Sequence, residues 1–271
     1  MSRSSNFPDS FILLQQEGHL IHTCLSDGLT KLRAAHVHNK GELYAALFNL
    51  SIGTERLLKA VLIMHHMLGN NLAVPTKSQL KGFGHNLINL YTTCAEISIN
   101  ERSYVPPLST LQPITRDVLQ LLSDFAQTTR YHNLDALSTS STSIDPLRQF
   151  DEIVRSVLIS DVPPRTVQKI IESRSKIAAA LSDISMILAQ GLDGSDLTLE
   201  QGFVFPALHE QAVRHLVLRV VQFLTPIKHL IDNLSRMGYN YGPVPPFPQM
   251  HEFIEFLWDD RKYVLSKKKW P

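Results

Sequence analysis

The chain has 271 residues, 26 Lys and Arg against 25 Asp and Glu, a formal net charge of +1 with its histidines neutral, and two cysteines. A chain of that length buries a large core without staples, so it needs no disulfide scaffold, and its balanced charge argues against a surface that coats nucleic acid wholesale while leaving local basicity possible. No run reaches the roughly 20 uncharged apolar residues of a membrane span. The FILL after the polar first ten residues is too short for a signal sequence, so a cytoplasmic protein with no membrane attachment is expected.

Helical periodicity dominates, with almost no strand alternation. A first helix is predicted over about 10–35. In 43–68, Leu43, Ala46, Leu47, Leu50, Leu57, Leu58, Val61, Leu62 and Met64 recur at spacings of three and four and mark one buried stripe. Gly41 precedes that helix and Gly69-Asn70-Asn71 ends it; with Gly53 tolerated inside, it runs about seven turns. After a loop over 69–83, helices are expected from Asn86 to about Ile99 and from Pro113 to about Thr128, separated by a loop over 100–112 that holds Pro106-Pro107. The serine and threonine patch at 138–145 reads as an exposed loop leading to a cap and first turn at Asp145-Pro146. Helices then follow at about 146–160, 165–190, 207–237 and 249–266. The prolines between Pro243 and Pro248 suggest an extended strap. The expectation is all-α: a helical bundle over 1–160 and a helical C-terminal extension, 161–271, packed on it.

The chemistry-bearing residues cluster in TTRYHNLDAL, 128–137, where Arg130, His132, Asn133 and Asp135 follow an apolar helix. Neighbours two apart on a continuous helix point about 200° apart, so Arg130 and His132 converge only if the helix has ended. Glu55 and Lys59 stand four apart in the order that favours an ion pair, and His85 follows Gly84 at a helix opening, where backbone N–H groups favour anions. The bland alternatives are a C-terminal cation at Arg130, a surface or capping His132, a surface Glu55–Lys59 pair and a His85 packed under the 69–83 loop. His36, His38, His65 and His66 lack the spacing of a metal site, and no glycine-rich phosphate loop or serine elbow is present, so no metal or cofactor is expected. His209 and His215 read as plain helix residues, and KKKW at the end as a solvated charged tail, although a phosphate-backbone contact would use the same residues.

SIGTERLLKAVLI (51–63), LKGFGHNLINLY (80–91) and TRYHNLD, in that order, resemble the HEPN superfamily of helical nucleotide-binding domains over roughly residues 10–160. The resemblance implies a bundle of four or five helices, often a homodimer, and in many members a metal-independent ribonuclease of antiphage or toxin–antitoxin systems; other members are inactive binding modules. Active members carry Arg and His four to six residues apart. Arg130 and His132 have one residue between them, whereas Arg33 and His38 match the spacing. On this resemblance His132 is the acid/base group, Arg130 holds phosphate, Asn133 hydrogen-bonds ribose or phosphate and Glu55 orients a partner. His85, Lys59, Arg33 and His38 are the further phosphate contacts, and RNA, a second copy or an antitoxin are the expected partners. The alternatives are a catalytically silent interaction module and a partner subunit of a nucleotide-binding or nucleotidyl-transferase protein.

Overall fold

The computed structural model describes residues 7–138 and 144–271, and the regular elements among them are all helices. The serine and threonine patch expected as a loop falls, over 139–143, outside the described residues. In chain order the helices are α1 (Asp9–Ala34), α2 (Lys40–Gly69), α3 (Lys77–Gly82), α4 (Leu87–Asn100), α5 (Pro113–Gln127), α6 (His132–Ser138), α7 (Pro146–Ser160), α8 (Pro164–Leu181), α9 (Leu199–Tyr239) and α10 (Arg261–Ser266). Short 3-10 turns lie at Leu108–Thr110, Thr129–Tyr131 and Met250–Ile254.

The α2 stripe is buried as its spacing predicts, from Leu43 through Met64. Its partner is α1, and glycines set how closely the two helices approach. A Cβ on Gly28 would lie 2.7 Å from Leu50 Cγ, and one on Gly53 would lie 2.8 Å from Leu25 Cδ2. Each helix therefore receives a leucine of the other where it has no side chain, which lets the stripes interlock at interior density.

The third long element is α9, which packs against α1, α2, α5, α7, α8 and α10. Val213, Leu216, Val217, Val220, Phe223 and Leu224 join the same apolar cluster as α1 and α2. Arg219 of α9 forms a two-pronged pair with Asp161, the residue that ends α7, at 2.7 Å and 2.9 Å from Nη2 to the two carboxylate oxygens. Burial of a charged pair of this kind ties α7 to α9 in one register.

Four expectations are corrected. The 69–83 segment contains α3, whose start is a capping box between Thr76 and Gln79. Helix α8 stops at Leu181 rather than near 190, and the chain then lays Ile187 into the space above Gly202, where a Cβ would come within 2.2 Å of Ile187 Cδ1. Helix α9 begins at Leu199, eight residues before the expected start, with a Thr198–Gln201 capping box, and runs through Pro206 and Pro226. Proline lacks an N–H, so Pro206 leaves the carbonyl of Gly202 without its helical donor; His38 Nε2 supplies one at 2.9 Å. The last expected helix is split, because Lys228 Nζ donates to the carbonyls of Glu255 and Leu257 at 3.2 Å and 3.0 Å and Asp260 caps a new start.

The segment 239–249, expected as an extended strap, packs on the helices. Phe247 is buried over Gly238, and Ser10 Oγ donates to the Pro246 carbonyl at 3.0 Å. Among the described residues no helix is long and apolar enough to cross a membrane.

Candidate functional site

The side chains singled out around α2 meet at one cleft. Glu55 and Lys59 lie one turn apart on α2, with Lys59 Nζ 2.8 Å from Glu55 Oε1. Gly84 at φ +64° turns the chain out of α3, and Asn86 caps α4 by accepting from the Asn89 amide at 2.9 Å. Between those two fixed residues His85 reaches back to α2, its Nδ1 3.0 Å from the same Glu55 oxygen. The Glu55 carboxylate thus holds a lysine and an imidazole at once.

Arg130 enters from the other side. Helix α5 stops at Gln127, where Gln127 Nε2 and Thr128 Oγ1 donate to the carbonyls of Ser123 and Asp124 at 3.2 Å and 3.3 Å. The Thr128 amide also closes on the Asp124 carbonyl, the backbone turns into the 3-10 turn Thr129–Tyr131, and Arg130 lies with its guanidinium 5.1 Å from the centre of the Tyr131 ring. Glu17, Glu55, Arg56, Lys59, His85 and Arg130 all line this cavity of about 410 Å³. Arg56 is bound to Glu17 of α1 at 2.5 Å and Lys59 to Glu55, so among the described residues Arg130 is the cation of the cleft without a carboxylate partner.

His132 and Asn133 are not among the residues lining that cavity. In a 3-10 turn, residues two apart point about 240° from each other, so Arg130 and His132 diverge although the α-helix has ended. His132 opens α6 and is half-buried. Asn133 Nδ2 donates to the Tyr44 hydroxyl of α2 at 2.9 Å, which makes it a tether between α6 and the bundle. Burial raises the Tyr44 phenol above its ordinary value, which keeps it neutral beside that amide.

Arg33 and His38 belong to a second cavity, at the other end of α1. Glu17 and Arg33 are sixteen residues apart on that helix, about 24 Å along its axis. The second cavity, of about 800 Å³, is lined by the basic residues Arg33, His36, His38, Arg174, Lys268 and Lys269 and by the apolar Ile187, Phe203 and Pro206. No family model, curated protein or solved structure matches this chain. The two cavities must therefore be read from their own chemistry.

Three members of the second cavity were not assigned to a site from the sequence. Arg174 carried no signal of its own on α8. Lys268 and Lys269 belong to the tail taken as solvated, yet Trp270 is buried and its amide donates to Thr30 Oγ1 of α1 at 3.0 Å, fixing both lysines over the cavity. A tryptophan directly after three lysines was the clue: a large apolar ring at the end of a charged run finds a surface to cover. His209, read as a plain helix residue, is buried, with Nδ1 left without a partner; burial and the nearby His36 and His38 lower its pKa to about 4. Burial and His38 also push His36 below its ordinary value. Among the described residues no group of three or more His, Cys, Asp or Glu side chains has the placement of a metal site. Cys24 and Cys94 are both free, and burial pushes the Cys94 thiol well up, leaving it inert.

Proposed function

We propose that this chain binds RNA in the Glu55–His85–Arg130 cleft and cuts it without a metal, acting in the manner that the resemblance to the HEPN superfamily implies. The observation that carries this reading is the convergence of Glu55, Lys59, His85 and Arg130 on one cavity, with the imidazole held by a carboxylate. A carboxylate only accepts, so Nδ1 of His85 carries the proton and Nε2 keeps a lone pair when the ring is neutral. That lone pair takes the proton of a ribose 2′-hydroxyl. The 2′ oxygen attacks the adjacent phosphorus, the 5′ oxygen leaves with a proton from water, and a 2′,3′-cyclic phosphate remains. Arg130 offers its planar fork to the phosphate oxygens as their charge grows, and Lys59 steadies Glu55. The acid/base role expected of His132 thus moves to His85.

The same reading gives a cytoplasmic homodimer in a bacterial defence or toxin–antitoxin setting, with an antitoxin as its other partner. A second reading, a catalytically silent interaction module, draws on α6, whose Leu134 and Leu137 are 65% and 85% exposed one and two turns after Arg130. One experiment separates the two. Labelled single-stranded RNA is incubated in EDTA with the wild type and with His85→Ala, Arg130→Ala and His132→Ala. Cyclic-phosphate ends that disappear in the first two variants and persist in the third support the nuclease. An uncut and unbound RNA with wild-type protein overturns it in favour of the interaction module.

A further inference from the structure

The cavity at the end of α1 has a feature that the first cleft lacks: a buried cation with nothing to bind. Arg33 is 6% exposed, its Nε is sealed from solvent without an acceptor, and among the described residues it makes no ion pair or hydrogen bond. An unpaired guanidinium in that position is costly, and proteins keep such groups where a ligand supplies the counter-charge. The neighbouring charges supply it only in part: the Glu210 carboxylate favours the Arg33 charge, and Arg214 opposes it. Glu210 is the one acid lining the cavity, and it is engaged by Arg214 at 3.0 Å. Arg174, Lys268 and Lys269 add three more cations to the same walls.

The two histidines are fixed by hydrogen bonds. Pro206 frees the Gly202 carbonyl, and His38 Nε2 donates to it at 2.9 Å, which fixes that ring against the first turn of α9. His36 Nδ1 accepts from the His38 amide at 3.3 Å, so the proton of its neutral ring sits on Nε2, the nitrogen left to face a ligand oxygen. The same cavity is also lined by Ile187, Phe203, Pro206 and Ala207. A cavity of about 800 Å³ is in the range that takes a small organic molecule whole.

We propose that this cavity binds a small phosphomonoester with an apolar or aromatic body: the phosphate dianion meets Arg33, with Arg174 and the tail lysines around it, and the body lies against Phe203, Ile187 and Pro206. Arginine matches phosphate through two parallel N–H donors, and a dianion is the charge that several cations at one site require. Trp270, docked on Thr30, holds Lys268 and Lys269 at the cavity wall.

The test uses the full chain and calorimetric titration with 1-naphthyl phosphate, with 1-naphthol and inorganic phosphate as the two half-ligands and a single-stranded RNA without a terminal phosphate as competitor. The expected result is saturable binding of the aryl phosphate, with each half-ligand weaker by at least ~10-fold, since loss of one charge-assisted contact or of the apolar contacts costs about that much. Arg33→Met should remove the binding, and Lys268→Ala with Lys269→Ala should weaken it ~3-fold or more at an exposed segment where folding is not at stake. His85→Ala and Arg130→Ala should bind normally, which keeps this site apart from the RNA cleft. Absent binding by the wild type, binding unchanged in both the Arg33 and the double-lysine variants, or displacement by the RNA as strong as by the aryl phosphate overturns the proposal.

Discussion

Acid should unfold this protein partly through one imidazole. His209 is 4% exposed on α9, and its pKa of about 4 in the fold stands against 6.5 for the ordinary group. Asp151 lies 3.9 Å from its Nε2, but that carboxylate is already engaged by Arg155 at 2.7 Å and offers the ring little. Between pH 6.5 and about 4 the unfolded chain protonates His209 and the folded chain does not, so stability rises with pH across this window. The contribution is fully present above 6.5 and gone below about 4. At about 1.4 kcal/mol per pH unit the whole window is worth about 3 kcal/mol, of which about 2 kcal/mol is lost by pH 5. Urea unfolding at pH 7.5 and pH 5.0 reads this directly when the wild type is set against His209→Gln, which has no proton to gain. Burial lowers His36 and His215 in the same direction, but both are present in the two proteins and largely cancel. The wild type should lose about 2 kcal/mol more than the variant between the two pH values. Equal losses in both would refute the burial argument.

Two further predictions concern packing. Asp161→Ala should cost about 3–5 kcal/mol in chemical denaturation by stranding Arg219, while the double replacement Asp161→Leu with Arg219→Met should recover most of that loss, because a buried pair is costly to break singly and cheap to replace together. Gly28→Ala should lower the melting point through a loss of about 1–3 kcal/mol, since the new Cβ would stand 2.7 Å from Leu50 Cγ and 3.0 Å from its backbone nitrogen. Gly41→Ala, where nothing lies within 4 Å, should instead raise stability by a few tenths of a kcal/mol to about 1. Similar melts for the two alanine variants would remove the interlocking-glycine account.

Much of the helical layout was legible because local signals agree with burial. The stripe of α2 and the start of α7 at Asp145-Pro146 follow from apolar spacing and cap chemistry, and the structure has them within a residue or three. The errors fall where the deciding partner is remote in sequence. Lys228 breaks the last helix from about thirty residues away by taking the Glu255 and Leu257 carbonyls. Pro206 reads as a helix breaker in isolation, and the helix runs through it because His38 satisfies the carbonyl it frees.

The site residues divide along the same line. By itself the sequence determined that helices would form, which faces they would bury, and that Glu55 and Lys59 would share one side of α2, since each of those is set within a few residues. Only the tertiary structure decided that His85 and Arg130 join them while His132 turns aside, and that Arg33 ends buried without a partner beneath a lysine tail. Such assignments depend on where remote helices cross and which charges are left unpaired, and packing settles that across the whole chain at once.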